Sequence, residues 1–290
     1  MGNPHPICYL NGKQLPVEEA RISPFDRGFL YADGVYELMP VYAGRPFRFQ
    51  AHRERMTRSL GEIFMRDPHT PEEWHAILGD LIAANGAGDQ YIYWQVTRGA
   101  ENGRNHAPLP DIPRTVFAFC APLPVIPPSV LEAGIACITA DDTRWARCDI
   151  KSVSLLANVL LRQLSIDANA AETILLRDGD LIEASSSAVH VIIGGEIRTP
   201  PRSQRLLPGT TRSVMEEMAA RAGIPCRSTR VTEAELRTAT EIWISSATRE
   251  VQPVTTLDNH PVGTGKPGPL WRRVYDELQR YKRDLSGTPW

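Results

Sequence analysis

Pro122-Leu123-Pro124-Val125-Ile126-Pro127-Pro128 decides how the chain is divided. Four prolines in seven residues fix φ and remove backbone donors, so neither a continuing helix nor a central strand passes through them. The stretch reads as a connection between two blocks. Upstream, Asn11-Gly12 suits the positive dihedrals of a type I′ turn and makes 7–16 a hairpin. Residues 36–42 and 46–49 read as strands joined at Ala43-Gly44, and Met56, Leu60, Ile63 and Phe64 fall at helical spacing after His52. Thr70, Pro71 and Glu73 form a capping box that opens a helix with Trp74, Leu78 and Leu81 on its buried stripe. Strands follow at 91–97 and 115–121. Downstream the pattern restarts: a strand at 135–139, a helix at 155–166, a strand at 172–177, and a turn at Asp178-Gly179-Asp180 into 181–193. A helix at 211–222 ends at Gly223. A strand at 241–245, a loop at 262–269 and an amphipathic helix at 270–285 complete the block. Strands mixed with helices in two blocks mark an α/β (α+β) protein. The expected division is a small N-terminal α/β domain over 1–121, an interdomain loop over 122–134 and a larger C-terminal domain over 135–290.

Length alone leaves the domain count open. At 290 residues the chain fits one large domain or two that each bury a core. A hydrophobic share of 42% and a charged share of 23% are those of a soluble globular protein. A net charge of -2 gives no bulk attraction for nucleic acid or acidic membranes. No apolar run reaches the ~18 residues needed to span a bilayer. The start, Met-Gly-Asn-Pro-His-Pro, lacks a signal-peptide layout, and Pro6 stands where a myristoylation signal carries Ser or Thr. The expected compartment is the cytoplasm. Cys8, Cys120, Cys137, Cys148 and Cys226 show no metal or redox spacing. They read as reduced, mostly buried thiols, and no metal site is expected.

The basic residues are nearly all arginine; the only lysines are Lys13, Lys151, Lys266 and Lys282. A lysine amine can lose its proton and form a Schiff base, which arginine cannot. Lys151 sits in Asp149-Ile150-Lys151-Ser152, just before an apolar helix start. Desolvation there would free its lone pair, although the tetrapeptide alone also fits a surface lysine. In Leu181-Ile182-Glu183-Ala184-Ser185-Ser186-Ser187 one carboxylate lies on an otherwise apolar strand. A buried glutamate needs a charged or proton-donating partner, and an edge strand facing water is the alternative. Leu207-Pro208-Gly209-Thr210-Thr211-Arg212 opens a helix, where N–H groups, hydroxyls and the dipole favour a phosphate. Thr is also an ordinary cap. Ser245-Ser246-Ala247-Thr248 offers a second hydroxyl-rich turn. Gly263-Thr264-Gly265-Lys266-Pro267-Gly268 has proline where a phosphate loop carries Ser or Thr, and reads as a plain loop. Arg104-Asn105-His106 after a strand could clamp a carboxylate, or be a polar loop.

Taken together, these motifs have the order and spacing of the class IV (fold-type IV) aminotransferases, and the set resembles the D-amino-acid branch of that family. The shared residues begin at Asp26-Arg27-Gly28 and Asp33-Gly34-Val35-Tyr36-Glu37. They continue through Arg55, Arg104-Asn105-His106, Asp149-Ile150-Lys151-Ser152 and Glu183. Leu207-Pro208-Gly209 and Ser245-Ser246 complete the set, which covers residues 8–280. The resemblance implies pyridoxal 5′-phosphate as cofactor and Lys151 as its Schiff-base residue and proton shuttle. It implies Glu183 against the pyridinium nitrogen, with the ring as electron sink. Arg55, Ser186, Thr210, Thr211, Ser246 and Ala247 fall in the implied cofactor-binding set. Ala247 stands where a hydroxyl is expected, with Thr248 the substitute at hand, and Ala184 stands where Gly is common. Tyr36, Arg104 and His106 resemble the family's carboxylate trap, whose Arg and His come from the neighbouring subunit. The implied assembly is therefore an obligate homodimer with shared sites.

A trap on a fixed side of the ring decides which enantiomer turns its α-hydrogen toward lysine. The branched-chain and aminodeoxychorismate-lyase relatives are not expected to carry this Arg–x–His trap, so the resemblance implies ping-pong transfer between a D-amino acid, above all D-alanine, and 2-oxoglutarate or pyruvate. Within the family the alternatives are an L-branched-chain or (R)-amine transaminase, or an aminodeoxychorismate lyase. Leu38, Pro40 and Ala188 lie where pocket residues vary. Outside the family, a silent phosphate-binding homologue is the rival reading. The expected partners are small amino and 2-oxo acids, not nucleic acid or membrane.

Overall fold

A computed structural model describes residues 2–86 and 88–284. The end of the last expected helix, at Leu285, lies outside the described residues. The described chain forms two compact units. The first comprises residues up to Pro124 together with Ile150–Leu155; the second comprises Val125–Asp149 and the chain from Leu156 onward.

The first unit is built on β1 (Ile7–Leu10), β2 (Lys13–Pro16), β3 (Gly34–Tyr42), β4 (Arg45–Pro46), β5 (Gln90–Thr97) and β6 (Thr115–Pro122). They form one antiparallel sheet in the order β2-β1-β6-β5-β3-β4. The first hairpin turns at Asn11 and Gly12, with φ of 48° and 89°, as the dipeptide dictates. Helices α1 (Arg27–Tyr31), α2 (Phe49–Glu62) and α3 (Pro71–Ala84) complete the unit. The Thr70 hydroxyl accepts from Glu73 N at 3.2 Å, and Glu73 accepts from Thr70 N at 2.8 Å. Met39, Met56, Leu60, Trp74, Leu78, Ile92 and Trp94 make the core. Two expectations change here. Phe49 opens α2 instead of extending a strand over 46–49, because Arg48 turns left-handed (φ 61°) and ends the extended run. At the other end α2 stops at Glu62, because Phe64 also turns left-handed (φ 55°).

The second unit holds α4 (Pro128–Ala133), β7 (Ile135–Asp141), α5 (Leu156–Asp167), β8 (Glu172–Arg177), β9 (Asp180–Ala184), β10 (Ala188–Ile193) and β11 (Glu196–Thr199). It continues with α6 (Thr210–Arg221), β12 (Cys226–Ser228), α7 (Glu233–Arg237), β13 (Glu241–Ser246), β14 (Glu250–Leu257), β15 (His260–Pro261) and α8 (Pro269–Asp284). Its mixed sheet runs β12-β11-β10-β13-β14-β7-β8-β9 with β15 on β14. Ile174, Val189, Val191, Ile242, Ile244 and Val254 fill its core. The stretch 122–134 is not wholly loop. Pro128 sits at the first position of α4, where its missing N–H has no intrahelical partner to lose. The segment with Lys151 belongs to the compact first unit, not to the 135–290 block: Tyr36 N donates to Lys151 O at 3.0 Å and Val153 N to Gly34 O at 3.0 Å. No helix among the described residues is long and apolar enough to cross a membrane.

Candidate active site

In the first unit the site starts from the pairing of Ile150–Leu155 with the start of β3. An antiparallel bridge joins Val35 to Ser152, and Lys151 N donates to the Ser59 hydroxyl at 3.2 Å. Lys151 is half-buried, and its Nζ lies 4.2 Å from the centre of the Tyr36 ring. Among the described residues no acidic side chain pairs with that amine. Tyr36 in turn stacks on Tyr93 at 5.4 Å between ring centres.

Helix α2 sends His52, Arg55 and Ser59 inward on one face, as positions three and four apart require. Arg55 grips Glu37 with Nε on Oε1 at 2.6 Å and Nη2 on Oε2 at 2.8 Å. His52 Nδ1 meets Glu37 Oε2 at 2.7 Å. Glu37 is 0% exposed. Burial pushes its carboxyl up, but Arg55 and His52 outweigh burial and hold it at about 2. Burial drives His52 below the ordinary histidine value, against Glu37; the charges of Arg55 and Lys151 add to that. Arg104 and His106 lie on an exposed loop. Among the described residues neither contacts Tyr36. Instead both meet Tyr31: Arg104 Cζ lies 4.9 Å from its ring centre, and the His106 ring lies 5.5 Å away.

In the second unit Glu183 is buried on β9, 7% exposed. Arg144 Nη1 donates to its Oε1 at 2.5 Å, and Leu207 N reaches both oxygens at 3.3 and 3.2 Å. Arg144 is held by Asp142 at 2.9 and 3.0 Å, and Asp142 also takes Arg177 at 2.8 Å. Burial raises the Glu183 carboxyl above its ordinary value, while Arg144 and the Leu207 N–H oppose the rise. Arg144 was invisible to sequence reasoning, because 39 residues separate it from its partner. Glu172, 0% exposed at the start of β8, was also missed. It accepts from the hydroxyls of Ser185, Ser186 (2.5 Å) and Ser187 (3.2 Å), so the Ser186 proton is directed to Glu172.

Helix α6 starts at Thr210 after Gly209, and no side chain caps it. Arg212 behind it is 3% exposed and binds Glu216 at 2.8 Å and Thr199 at 2.8 Å. Strands β10 and β13 pair Ala188 with Ser245, and His190 meets the Ser245 hydroxyl at 2.9 Å. Burial, with the Arg212 charge adding to it, holds His190 down at about 3. It is therefore a neutral strut under the turn that presents Ser246 and Ala247. Among the described residues the hydroxyls of Thr211 and Ser246 have no hydrogen-bond partner. An uncapped helix start with two such hydroxyls is the donor set a phosphate takes. A buried carboxylate answers a protonated ring nitrogen, and an amine without a counter-ion answers an aldehyde. Taken unit by unit, the first offers the chemistry an aldehyde needs, and the second that of a protonated ring nitrogen and a phosphate, the three groups of pyridoxal phosphate. No group of His, Cys, Asp and Glu that could hold a metal occurs among the described residues.

Residues 34–257 match the family described as amino-transferase class IV. The chain is 36% identical to a D-alanine aminotransferase of Staphylococcus haemolyticus, over 96% of this chain and 98% of that one. It is also 36% identical to a D-alanine aminotransferase of Listeria monocytogenes, over 92% of each. Among solved structures, the branched-chain amino acid aminotransferase of Escherichia coli shares the fold with a TM-score of 0.91 at 22% identity, covering 99% of this chain and 97% of that one. The T.th. branched-chain amino acid aminotransferase with pyridoxamine 5′-phosphate gives a TM-score of 0.88 at 26% identity, covering 96% and 95%.

Proposed function

The chain belongs to the class IV aminotransferases, and from that premise we propose a pyridoxal-phosphate-dependent transaminase that moves an amino group between a D-amino acid, D-alanine first, and 2-oxoglutarate or pyruvate. The observation that carries the proposal is the Lys151 amine, which rests on the Tyr36 ring and has no acidic partner among the described residues. An amine so placed is available to add to an aldehyde carbon. When bound, pyridoxal phosphate supplies a ring that takes up the electron pair left by α-proton loss. Lys151 Nζ holds and moves that proton at the substrate α-carbon. Glu183 would hold the ring nitrogen of the bound cofactor, and Arg144 fixes the carboxylate in orientation. The first turn of α6 at Thr210 and Thr211, the Ser246–Ala247 turn, Ser186 and Arg55 complete the cofactor set. Arg104 and His106 take the substrate carboxylate as a two-donor clamp, with the Tyr36 phenol facing it.

A homodimer follows as part of the same proposal. Leu156, Val159, Leu160 and Leu164 on α5 are 73%, 61%, 60% and 45% exposed. Their i, i+3, i+4, i+8 spacing sets an apolar stripe toward solvent, the reverse of a helix that is finished within one chain. A second copy covers the stripe and brings its own Arg104 and His106 to Tyr36. The five cysteines, all free and four of them buried, suit the reducing cytoplasm.

The 36% identity to two D-alanine aminotransferases and the Arg104-x-His106 pair favour the D-series. The likeness to the T.th. enzyme favours a second reading, L-branched-chain transfer. Holoenzyme assayed with D-alanine, L-leucine, (R)-1-phenylethylamine and aminodeoxychorismate separates these. D-alanine should be the best donor; L-leucine ahead of it would overturn the D-series. Lys151→Ala should lose turnover and the borohydride-reducible cofactor attachment, and full activity in that variant would end the scheme.

A further inference from the structure

We propose that Arg27 and Tyr31 are the positioning pair that presents the Arg104/His106 carboxylate clamp, Arg27 holding the backbone of its loop and Tyr31 its two side chains. The inference rests on the clamp reading of Arg104 and His106 given above. Arg27 opens α1 and is 4% exposed. Its guanidinium splits its donors between two tasks. Nε takes Asp33 at 2.9 Å and Nη1 takes Glu101 at 3.3 Å. Nη1 also donates to the carbonyl of Asn105 at 2.6 Å, and Nη2 to the carbonyl of His106 at 3.0 Å. These two carbonyls belong to the peptide units that carry the clamp. A planar fork that meets two successive carbonyls fixes the loop's height and its rotation, which a single point charge cannot do.

The rest of the loop leaves this task to Arg27. Its neck is closed where Leu109 N donates to Glu101 Oε1 at 3.0 Å. Between neck and clamp, the one other side-chain bond among the described residues is local, from Ala107 N to Asn105 Oδ1 at 3.2 Å. All residues from Asn102 to Pro110 are exposed, so packing supplies little order. Tyr31 provides the remaining contact. Arg27 Cζ lies 4.6 Å from the centre of its ring and Arg104 Cζ lies 4.9 Å away, with the His106 ring at 5.5 Å. The phenolic oxygen has no hydrogen-bond partner among the described residues, so it is the ring that acts, with the guanidinium groups over it and the His106 imidazole against it at a 55° tilt. The mount itself is anchored: Asp26 accepts from Gly28 N at 2.8 Å and from the hydroxyls of Thr97 at 2.7 Å and Thr115 at 2.5 Å.

The test uses holoenzyme carrying Arg27→Met, Arg27→Lys, Tyr31→Leu or Arg104→Ala, reduced by D-alanine in single-turnover experiments. Arg27→Met and Tyr31→Leu should raise the apparent Kd for D-alanine about tenfold, which is about 1.4 kcal/mol. The limiting rate should stay within about twofold and the borohydride-trapped cofactor content unchanged. Arg27→Lys keeps the charge for Asp33 and Glu101 but reaches only one carbonyl, so it should fall between parent and Arg27→Met. A general loss of structure would lower rate and cofactor content together, so the split between Kd and rate is the diagnostic. Amide exchange over residues 102–109 should quicken in Arg27→Met. If Arg27→Met does not accumulate as folded protein, Tyr31→Leu removes no charge and gives the same reading. Parental Kd in Arg27→Met and Tyr31→Leu, beside a raised Kd in Arg104→Ala, overturns the positioning pair. Parental Kd in Arg104→Ala overturns the clamp reading, and exchange over 102–109 then decides alone whether Arg27 pins the loop.

Discussion

Replacing Glu37 with Gln tests the electrostatic reasoning most directly. The carboxylate is 0% exposed, gripped by both arms of Arg55 and by His52. Its carboxyl is held at about 2, against an ordinary 4.5. At about 1.4 kcal/mol per pH unit, that difference is worth about 3 kcal/mol of folding stability at neutral pH. The sign follows from depression. The stabilisation is fully present above the unfolded value near 4.5 and is lost as pH falls toward the folded value near 2. About 2 kcal/mol of it should be gone by pH 3. Glu37→Gln also leaves Arg55 buried beside a neutral amide, and breaking such a pair costs about 3–5 kcal/mol. For a chain of this size that lowers Tm by about 5–8 °C. Calorimetry of parent and variant between pH 7 and pH 3 measures both effects. The gap between them should be widest at neutral pH and shrink on acidification. A gap under about 1 kcal/mol at pH 7, or one that does not change down to pH 3, would refute the account. Arg55, released from its brace, should also hold the cofactor phosphate about tenfold less tightly, about 1.4 kcal/mol, in an equilibrium titration with pyridoxal phosphate.

Three further outcomes are expected. Arg144→Met removes the cation that opposes the upward push of burial on Glu183; kcat near neutral pH should fall at least about tenfold, and the acid limb of its pH profile should move to higher pH, whereas a profile superimposable on the parent's would clear Arg144 of any such role. Leu160→Glu sets a charge in the exposed stripe of α5 and should shift sedimentation toward the single chain at micromolar concentration; unchanged sedimentation removes the stripe from the dimer contact. Gly28→Ala brings a Cβ to 2.3 Å from Thr97 Cγ2 and to 2.9 Å from both Thr97 Cβ and Asp26 Oδ1 and should cost about 1–3 kcal/mol in urea unfolding, only part of it recovered when Thr97→Ser removes the methyl group, because the other two contacts remain.

Local chemistry was legible wherever one short stretch determines the backbone. Asn11-Gly12 names its turn, and Thr70 and Glu73 their cap. The amine, the buried carboxylate and the two hydroxyl-rich turns were legible too, because few residue types can do each task. What escaped were the braces. Arg144 lies 39 residues from Glu183, Glu172 13 to 15 residues from its serines, and Arg27 78 and 79 residues from the carbonyls it holds. No periodicity marks such pairs, since only the folded chain brings them together. Proline misled at 128, where the first turn of a helix asks for no N–H. The helix expected at 155–166 forms, but Leu156, Val159, Leu160 and Leu164 on it point to solvent, which apolar sequence alone does not reveal.

Lys151 takes its conformation from β3, more than a hundred residues earlier in the chain. Closing so wide a loop is entropically slow. A nascent chain in which that closure has not occurred carries at this position an ordinary hydrated lysine, unable to tell one aldehyde from another. On the role proposed for Lys151, selective reactivity is a property of completed tertiary structure, and reagents that modify solvent-exposed amines should report the closure during refolding.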